Sequence, residues 1–335
     1  MSKTTPAAKK GRLSARLLAV LVLLSGIWGT IALAYQWPGC AILRVAACAV
    51  WAALAILGTV ATWRGRFPAT LGHAAAFALL LLWWSGIEPS NQREWADDVA
   101  RPLTGTVQGH QVVLDNVRDF HWRSDDDYDA RWHSRRYDLD QLVSADAVLS
   151  YWGSRAIAHA MISFGFADGS HVVFSVEIRR ERGEQYSPVG GFFKQFELAL
   201  VAAEERDIIR VRTNVRGEDD YLYPLHMDPA AMRALFVSYV DAANALAKRP
   251  RFYNTLTSNC TTIVHRMARR IVPGLHRDIR LLLTGYLPGY LRKIGALDDT
   301  QPLDVQEQRA RITDRARHST AEDFSRAIRQ ETAAR

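Results

Sequence analysis

Cysteine is scarce in this sequence. The 335 residues hold three, and two of them, Cys40 and Cys48, lie in or beside one apolar run, so Cys260 stands alone in the rest of the chain. In an oxidising compartment such a thiol has no intrachain disulfide partner and is worth weighing as a reactive group. Metal-type spacing is also missing among the histidines after residue 88. The acidic run Ser124 to Asp129 lacks the sixth-position glycine and terminal glutamate of an EF-hand, so it reads as a solvated acidic loop. No finger, internal repeat or aromatic–basic stripe occurs, and both charge signs mix downstream. The net charge of +7 is therefore not read as nucleic-acid binding. Nothing in the sequence calls for a metal or another cofactor.

Long apolar runs are absent after residue 88 and dense before it. Leu17 to Tyr35 and Phe67 to Ile87 carry no Asp, Glu, Lys or Arg, and Ile42 to Thr62 carries only Arg44. Each is about 20 residues, the length that crosses a bilayer's hydrocarbon core. Soluble core helices would show a polar face, and these do not. Trp28, Trp37, Trp63, Trp83 and Trp84 lie mostly near the run ends, where aromatic rings favour the membrane interface.

Charge sets the expected orientation. Lys3, Lys9, Lys10, Arg12 and Arg16 precede the first run, and Arg64 and Arg66 separate the second from the third. The positive-inside rule then puts the N-terminus in the cytoplasm and residues 88–335 on the outer side of a bacterial inner membrane. Ala32-Leu33-Ala34 resembles a signal-peptidase site, which leaves cleavage after the first run open.

The outer part reads as α+β. Val107 to Asn116 suggests a strand. His159 to Phe166 and Ser170 to Ile178 form the clearest hairpin, around Ala167-Asp168-Gly169. A three-residue loop with glycine third pairs Phe166 with Ser170. In that register Ile162, Phe164, Val172, Phe174 and Val176 share one face, and His159 lies opposite Glu177 on the other. Glu197 to Ala202 and Asp207 to Thr213 read as further strands. Asp228 caps a helix from Pro229 to about Lys248, and a second helix runs from about Cys260 to Ile271.

That second helix carries the candidate chemistry. Its first turn, Cys-Thr-Thr-Ile, holds no acid, and Arg266, Arg269 and Arg270 lie toward the other end. A thiol at a helix N-terminus meets the positive end of the dipole and free N–H groups, which favour thiolate. The same N–H groups could hold an oxyanion. A thiolate enzyme also needs a base and an orienting group, and His159 with Glu177 supplies both types. Other uses compete: Cys260 as core filler, Asn259-Cys260-Thr261 as a glycosylation sequon, Ser258 or Asn259 as a helix cap, and Glu177 as ion-pair partner of Arg179 or Arg210. The run LLLTGYLPGYL, 281–291, reads as a packed helix and turn or as an apolar lip.

The strings AHAMISFGFADG, VVFSVEIRRE, RDIIRVRTN, YLYPL and YNTLTSNCTT, with NQREW and NVRDFHWRS upstream, resemble the family named for the Lnb N-terminal periplasmic domain. The resemblance covers roughly Pro89 to Leu297. It implies a circularly permuted papain-like fold in which a strand histidine precedes a helix-start cysteine. The family's histidine falls on His159 and its cysteine on Cys260. Its strand motif falls on Ser175, Glu177 and Arg179, and Glu177 suits the third catalytic position. The namesake enzymes are lipoprotein N-acyltransferases, which implies a thioester on Cys260.

The expected architecture is a three-helix transmembrane module over residues 1–88, with spans at about 17–35, 42–62 and 67–87. An α+β periplasmic domain follows at 89–297, its antiparallel sheet packed on helices, then a charged tail at 298–335, mobile or helical. The expected activity is thiol-based acyl transfer with Cys260, His159 and Glu177 catalytic and Asn259 and Ser175 in oxyanion or positioning roles. The partners would be the lipid bilayer and a lipoprotein, phospholipid or cell-wall peptide substrate. A cysteine peptidase or amidase on cell-wall peptides and a non-catalytic binding module are the alternatives.

Overall fold

A computed structural model describes residues 6–330 of the chain, with side chains from residue 13 onward. Lys3 lies outside the described residues, as do the side chains of Lys9, Lys10 and Arg12. The chain divides into two units: residues 1–89 with 187–195, and residues 90–186 with 196–335.

The first unit is built on α1 (Pro6–Gln36), α2 (Ala41–Trp63) and α3 (Phe67–Ser85). Each contains a stretch long and apolar enough to cross a membrane, Leu13–Gln36, Ala41–Trp63 and Phe67–Ser85. Large apolar side chains such as Leu17, Leu21, Leu57 and Leu82 face outward. This pattern suits a lipid environment, where helices associate by close packing and hydrogen bonds. Gly26 and Gly29 supply the close approach: a Cβ at Gly26 would lie 2.4 Å from Ala55 Cβ, and one at Gly29 2.4 Å from Trp51 Nε1. Trp51 Nε1 donates to Gly26 O at 3.1 Å across that crossing. Ala32 and Leu33, in the stretch that resembles a cleavage site, are buried within continuous helix. Segment Ser187–Gln195 folds with this unit. Phe193 stacks on Tyr35, Gln36 donates to the carbonyls of Phe193 and Lys194, and Lys194 Nζ donates to Trp84 O.

The second unit is an α/β domain. Among the described residues its strands are β1 (Thr104–Gln108), β2 (Gln111–Arg118), β3 (His121–Trp122), β4 (Tyr128–Asp129), β5 (Trp132–Asp138), β6 (Leu142–Tyr151), β7 (Ala158–Phe166), β8 (His171–Arg179), β9 (Glu197–Ala203) and β10 (Asp219–Pro224). Eight form one sheet in the order β1-β2-β9-β8-β7-β6-β10, with β5 also on β2. The sheet is mixed, where an antiparallel one was expected: β2 and β9 pair parallel at Arg118↔Ala203. The single strand expected over Val107 to Asn116 is two, folded back at Gly109, whose φ is +62°.

Helices cover both faces. On one side α5 (Pro229–Lys248) and α6 (Cys260–Ile271) bury Ile162, Phe164, Phe174 and Val176. Phe236 and Tyr239 of α5 pack on Phe174 with ring centroids 5.1 and 4.7 Å apart. Such rings contribute about 1.5–3 kcal/mol each through burial. Asp228 caps α5 through the N–H groups of Ala230 and Ala231. A short α7 (Leu287–Lys293) closes this side.

The opposite face is also buried. Met161 and Val173 meet Ile208, Ile209, Ile312, Phe324 and Ile328. These come from α4 (Glu205–Arg210) and from the region of α8 (Leu303–Ala310), α9 (Thr313–Arg317) and α10 (Phe324–Ala327). Much of the charged 298–335 segment is thus packed helix. Segment Asp207–Thr213, read above as strand, is α4 followed by a π-turn over Val211–Val215. Its β-branched residues suit a strand locally. Burial of Ile208 and Ile209, with Glu205 and Asp207 in the first helical turn, favours helix instead.

Asp207 is the hinge of this layer. It is fully buried, accepts both arms of Arg118 at 2.8 and 3.0 Å, and also accepts from Phe120 N and Trp122 Nε1. Asp207→Ala would strand a buried guanidinium, a loss of about 3–5 kcal/mol. Chemical denaturation in mild detergent should show a loss of that size, and a change under 1 kcal/mol would refute the assignment.

Candidate active site

The β7–β8 hairpin sets the site. Phe166 N donates to Ser170 O at 3.0 Å and Gly169 has φ +83°, which fixes the expected three-residue loop. The ladder follows this register from Gly165↔His171 to Met161↔Ser175 and stops there. Beyond that point β7 stays paired with β6 and β8 with β9. The two strands therefore part at the level of His159 and Glu177, the next pair in register.

His159 is held from β8. Its Nε2 lies 2.7 Å from Ser175 Oγ and 3.1 Å from Glu177 Oε1. Ser175 Oγ in turn donates to Glu177 Oε1 at 2.7 Å. With Nε2 engaged, Nδ1 is the ring nitrogen left for another partner. That partner is Cys260, whose thiol shares a side-chain hydrogen bond with His159 and takes a backbone hydrogen bond from Ala160.

Cys260 is the first residue of α6, which packs against both β7 and β8. Asn259 makes the helix begin there. Its Oδ1 accepts from Thr261 N and Thr262 N, and Thr262 Oγ1 accepts from Asn259 N at 2.9 Å, a reciprocal capping box. The Asn259 amide also donates to Thr255 O and the side chain is buried. It is therefore a cap, buried and with both its amide nitrogen and its oxygen engaged. Ile263 N bonds Asn259 O, so the cap occupies the N–H groups of residues 261, 262 and 263, and that of Cys260 is not among them. Ser175 likewise sits at the far ring nitrogen of His159, in a positioning place.

The electrostatics follow from these contacts. Burial by itself would depress the His159 pKa, but Glu177 and the thiol beside it raise it to about 9. Burial would raise Cys260, but the hydrogen bond and charge of His159 hold it below its usual value. Burial would raise Glu177 too, and His159 and Arg212 hold it well below the ordinary carboxylate range. The arrangement thus favours thiolate, imidazolium and carboxylate in a row. Glu177 uses neither Arg179 nor Arg210 as its cation: Arg212 Nη2 reaches it at 3.0 Å. Arg179 instead binds Asn91 Oδ1 and the carbonyls of Val99 and Ala100.

An apolar cavity of about 90 Å³ opens beside the thiol. Cys260, Val264 and Ala268 of α6, Ala160 and Ile162 of β7, and Leu281, Leu287, Tyr290 and Leu291 line it. The 281–291 run therefore turns one side to this cavity, while Leu282, Leu283 and Tyr286 are exposed. Such a lining holds water poorly and favours hydrocarbon. Among the described residues, one group approaches metal-binding geometry: His110, Asp138 and Asp140, at the surface. Arg233 already pairs with Asp140 at 2.9 Å. Asp127 and Asp129 of the 124–129 run pair with Arg123, and Asp125 pairs with Arg216.

Arg212 went unseen in the sequence because its segment reads as strand. The acids at Glu205 and Asp207 were the signal for a helix start that would have re-aimed it.

Residues 128–288 match the family model described as the Lnb N-terminal periplasmic domain. The match spans His159, Ser175, Glu177, Arg212 and Cys260. No curated protein and no solved structure gives a significant match.

Two measurements follow from this geometry. With Cys40 and Cys48 changed to serine, iodoacetamide should alkylate Cys260 at pH 7 roughly 10-fold faster than in His159→Ala, because thiolate is the reactive form. Equal rates in two folded proteins would remove the pair. The raised His159 pKa stabilises the folded state fully below about 6.5, and that contribution fades as pH rises through about 9. Denaturation midpoints should therefore fall between about pH 6.5 and 9, and in His159→Gln this part of the fall should be absent.

Proposed function

We propose that this chain, whose residues 128–288 form an Lnb N-terminal periplasmic domain, is a membrane-anchored thiol acyltransferase working through a thioester on Cys260. One observation carries the reading: the thiol that bonds His159 at the start of α6 also forms the wall of an apolar cavity. A polar cell-wall peptide would find few hydrogen-bond partners in such a cavity. An acyl chain, bound by its first carbons with the carbonyl at the sulfur, fills it.

The chemistry divides among the chain's own residues. His159 takes the Cys260 proton, and the thiolate attacks the ester carbonyl of a lipid-linked donor. The backbone N–H of Cys260 stabilises the oxyanion at the positive end of α6. The tetrahedral species collapses, the C–O bond breaks and His159 protonates the departing alcohol. An amine then attacks the thioester, His159 accepts its proton, and the amide leaves with the thiol restored. Water in place of the amine gives a carboxylic acid. Ser175 and Glu177 hold the imidazole in position throughout, and Asn259 holds the helix start.

The three spans suit this substrate class, because a bilayer both anchors the enzyme and supplies the donor. With residues 1–16 basic, the N-terminus lies in the cytoplasm and the site in the periplasm of an inner membrane. The buried, helical setting of Ala32 and Leu33 favours a retained first span. The chain order, histidine strand before cysteine helix, agrees with a circularly permuted papain-like domain for residues 89–297.

Incubation with phospholipid or diacylated lipopeptide vesicles should add one acyl mass to Cys260, removed by neutral hydroxylamine and absent in Cys260→Ser. Ala268→Phe fills the cavity, so it should lose the adduct at least 10-fold yet keep alkylation by iodoacetamide, at an overpacking cost of about 1–3 kcal/mol. Cleavage of cell-wall peptides with no lipid adduct would favour the peptidase reading. An inert Cys260 would leave a binding module.

A further inference from the structure

Behind the site lies a buried polar chain that neither acylation step uses. Arg212 sits in the π-turn that follows α4, where Arg216 N reaches Val211 O at 2.9 Å. A π-turn widens the helix by one residue and re-aims its side chains, and such turns recur at functional sites. Here it points Arg212 under β8. Nη2 binds Glu177 Oε1 at 3.0 Å and Nη1 lies 3.5 Å from Glu218 Oε2. The Arg212 side chain is only 9% exposed.

Glu218 is itself held. Ser150, the cross-strand neighbour of His159 on β6, bonds both Glu218 Oε2 and Asp220 Oδ1. A hydroxyl has one proton and cannot donate to two carboxylates at once. One of the two acids must therefore carry a proton. Asp220 is the more buried, its Oδ2 has no partner, and burial lifts its pKa to about 7 against the pull of Ser150 and Arg212. A neutral Asp220 donates to Ser150, Ser150 donates to Glu218, and Glu218 faces Arg212.

We propose that Arg212 is a positioning residue: it fixes the Glu177 carboxylate against His159, and the Asp220–Ser150–Glu218 chain fixes Arg212. Ser175 and Arg212 both donate to one Glu177 oxygen, and His159 Nε2 lies 3.1 Å from it. Without the guanidinium the carboxylate is free to rotate away from the ring. The Arg212 charge opposes that of the imidazolium, but it also keeps Glu177 ionised and in place, so its removal weakens the hold of Glu177 on the His159 proton. The groups facing this pair are Glu177 and Ser175 from β8, Cys260 from α6, Tyr239 from α5, Tyr186 and Tyr253 from the loops, Arg212 from the π-turn, and Ser150, Glu218 and Asp220 behind it.

This rests on Cys260 and His159 being the reacting pair. The test reads Cys260 acylation by a small activated ester, p-nitrophenyl acetate, against pH in the full-length protein. The parent profile should fall through about pH 9 as His159 loses its proton. Arg212→Met should slow acylation at pH 7 at least 10-fold and move the falling limb downward by about 1 pH unit. Arg212→Lys keeps the charge, so its limb should stay in place while the rate falls less. Glu218→Gln, which loosens Arg212 without removing it, should give an intermediate rate and carries the test with Arg212→Lys if Arg212→Met does not fold. Profiles that superimpose on the parent after scaling for folded protein would overturn the role of Arg212 alone. A parent protein with no His159-dependent acylation would overturn both this role and the reading beneath it.

Discussion

A buried imidazole keeps its proton only where an anion lies beside it, and the site depends on that constraint. His159 is shielded from water on strand β7, and burial pulls its pKa down. Glu177, two residues past Ser175 on the neighbouring strand, reverses the effect. The proton held on the ring then lets the thiol across from it ionise. The order of dependence runs from carboxylate to imidazole to sulfur. Arg212 stands at the start of it, holding Glu177 charged in a place where burial opposes charge.

The fold makes this possible by opening one ladder. Elsewhere β7 and β8 are an ordinary hairpin, but their pairing stops at Met161↔Ser175. The helix that begins at Cys260 meets that opening from one face of the sheet, and the π-turn bearing Arg212 meets it from the other. Burial on both faces is what excludes water from the pair. It also explains why the C-terminal helices matter: Ile312, Phe324 and Ile328 seal the layer that carries α4 and its π-turn. The apolar cavity lies on the α6 side alone, so hydrocarbon and the charged chain meet only at the sulfur.

Local chemistry made much of this legible in the sequence. The caps at Asp228 and Asn259 depend on residues two or three positions away, so the starts of α5 and α6 could be read directly. The glycine of the 167–169 loop and the phenylalanine pattern fixed the register that sets His159 opposite Glu177. The three apolar runs needed only length and composition. What escaped depended on distant packing. Asp207–Thr213 has strand-like residues, yet becomes helix because Ile208, Ile209 and Asp207 are buried against elements far along the chain. Arg212 was hidden by the same misreading, while the C-terminal helices pack through only a few large apolar residues, Ile312, Phe324 and Ile328. The meeting of His159 with Cys260 was a matter of residue type in the sequence and became one of geometry only when α6 was placed against β7.

The ionisation of Cys260 is the claim on which the rest stands. Thiolate absorbance near 240 nm, taken as the difference between the parent and Cys260→Ser across pH 5 to 10, measures it directly. With the pair intact, the thiolate signal should rise at lower pH in the parent than in His159→Ala. A difference signal that appears only at or above pH 9, the same with and without His159, would contradict it.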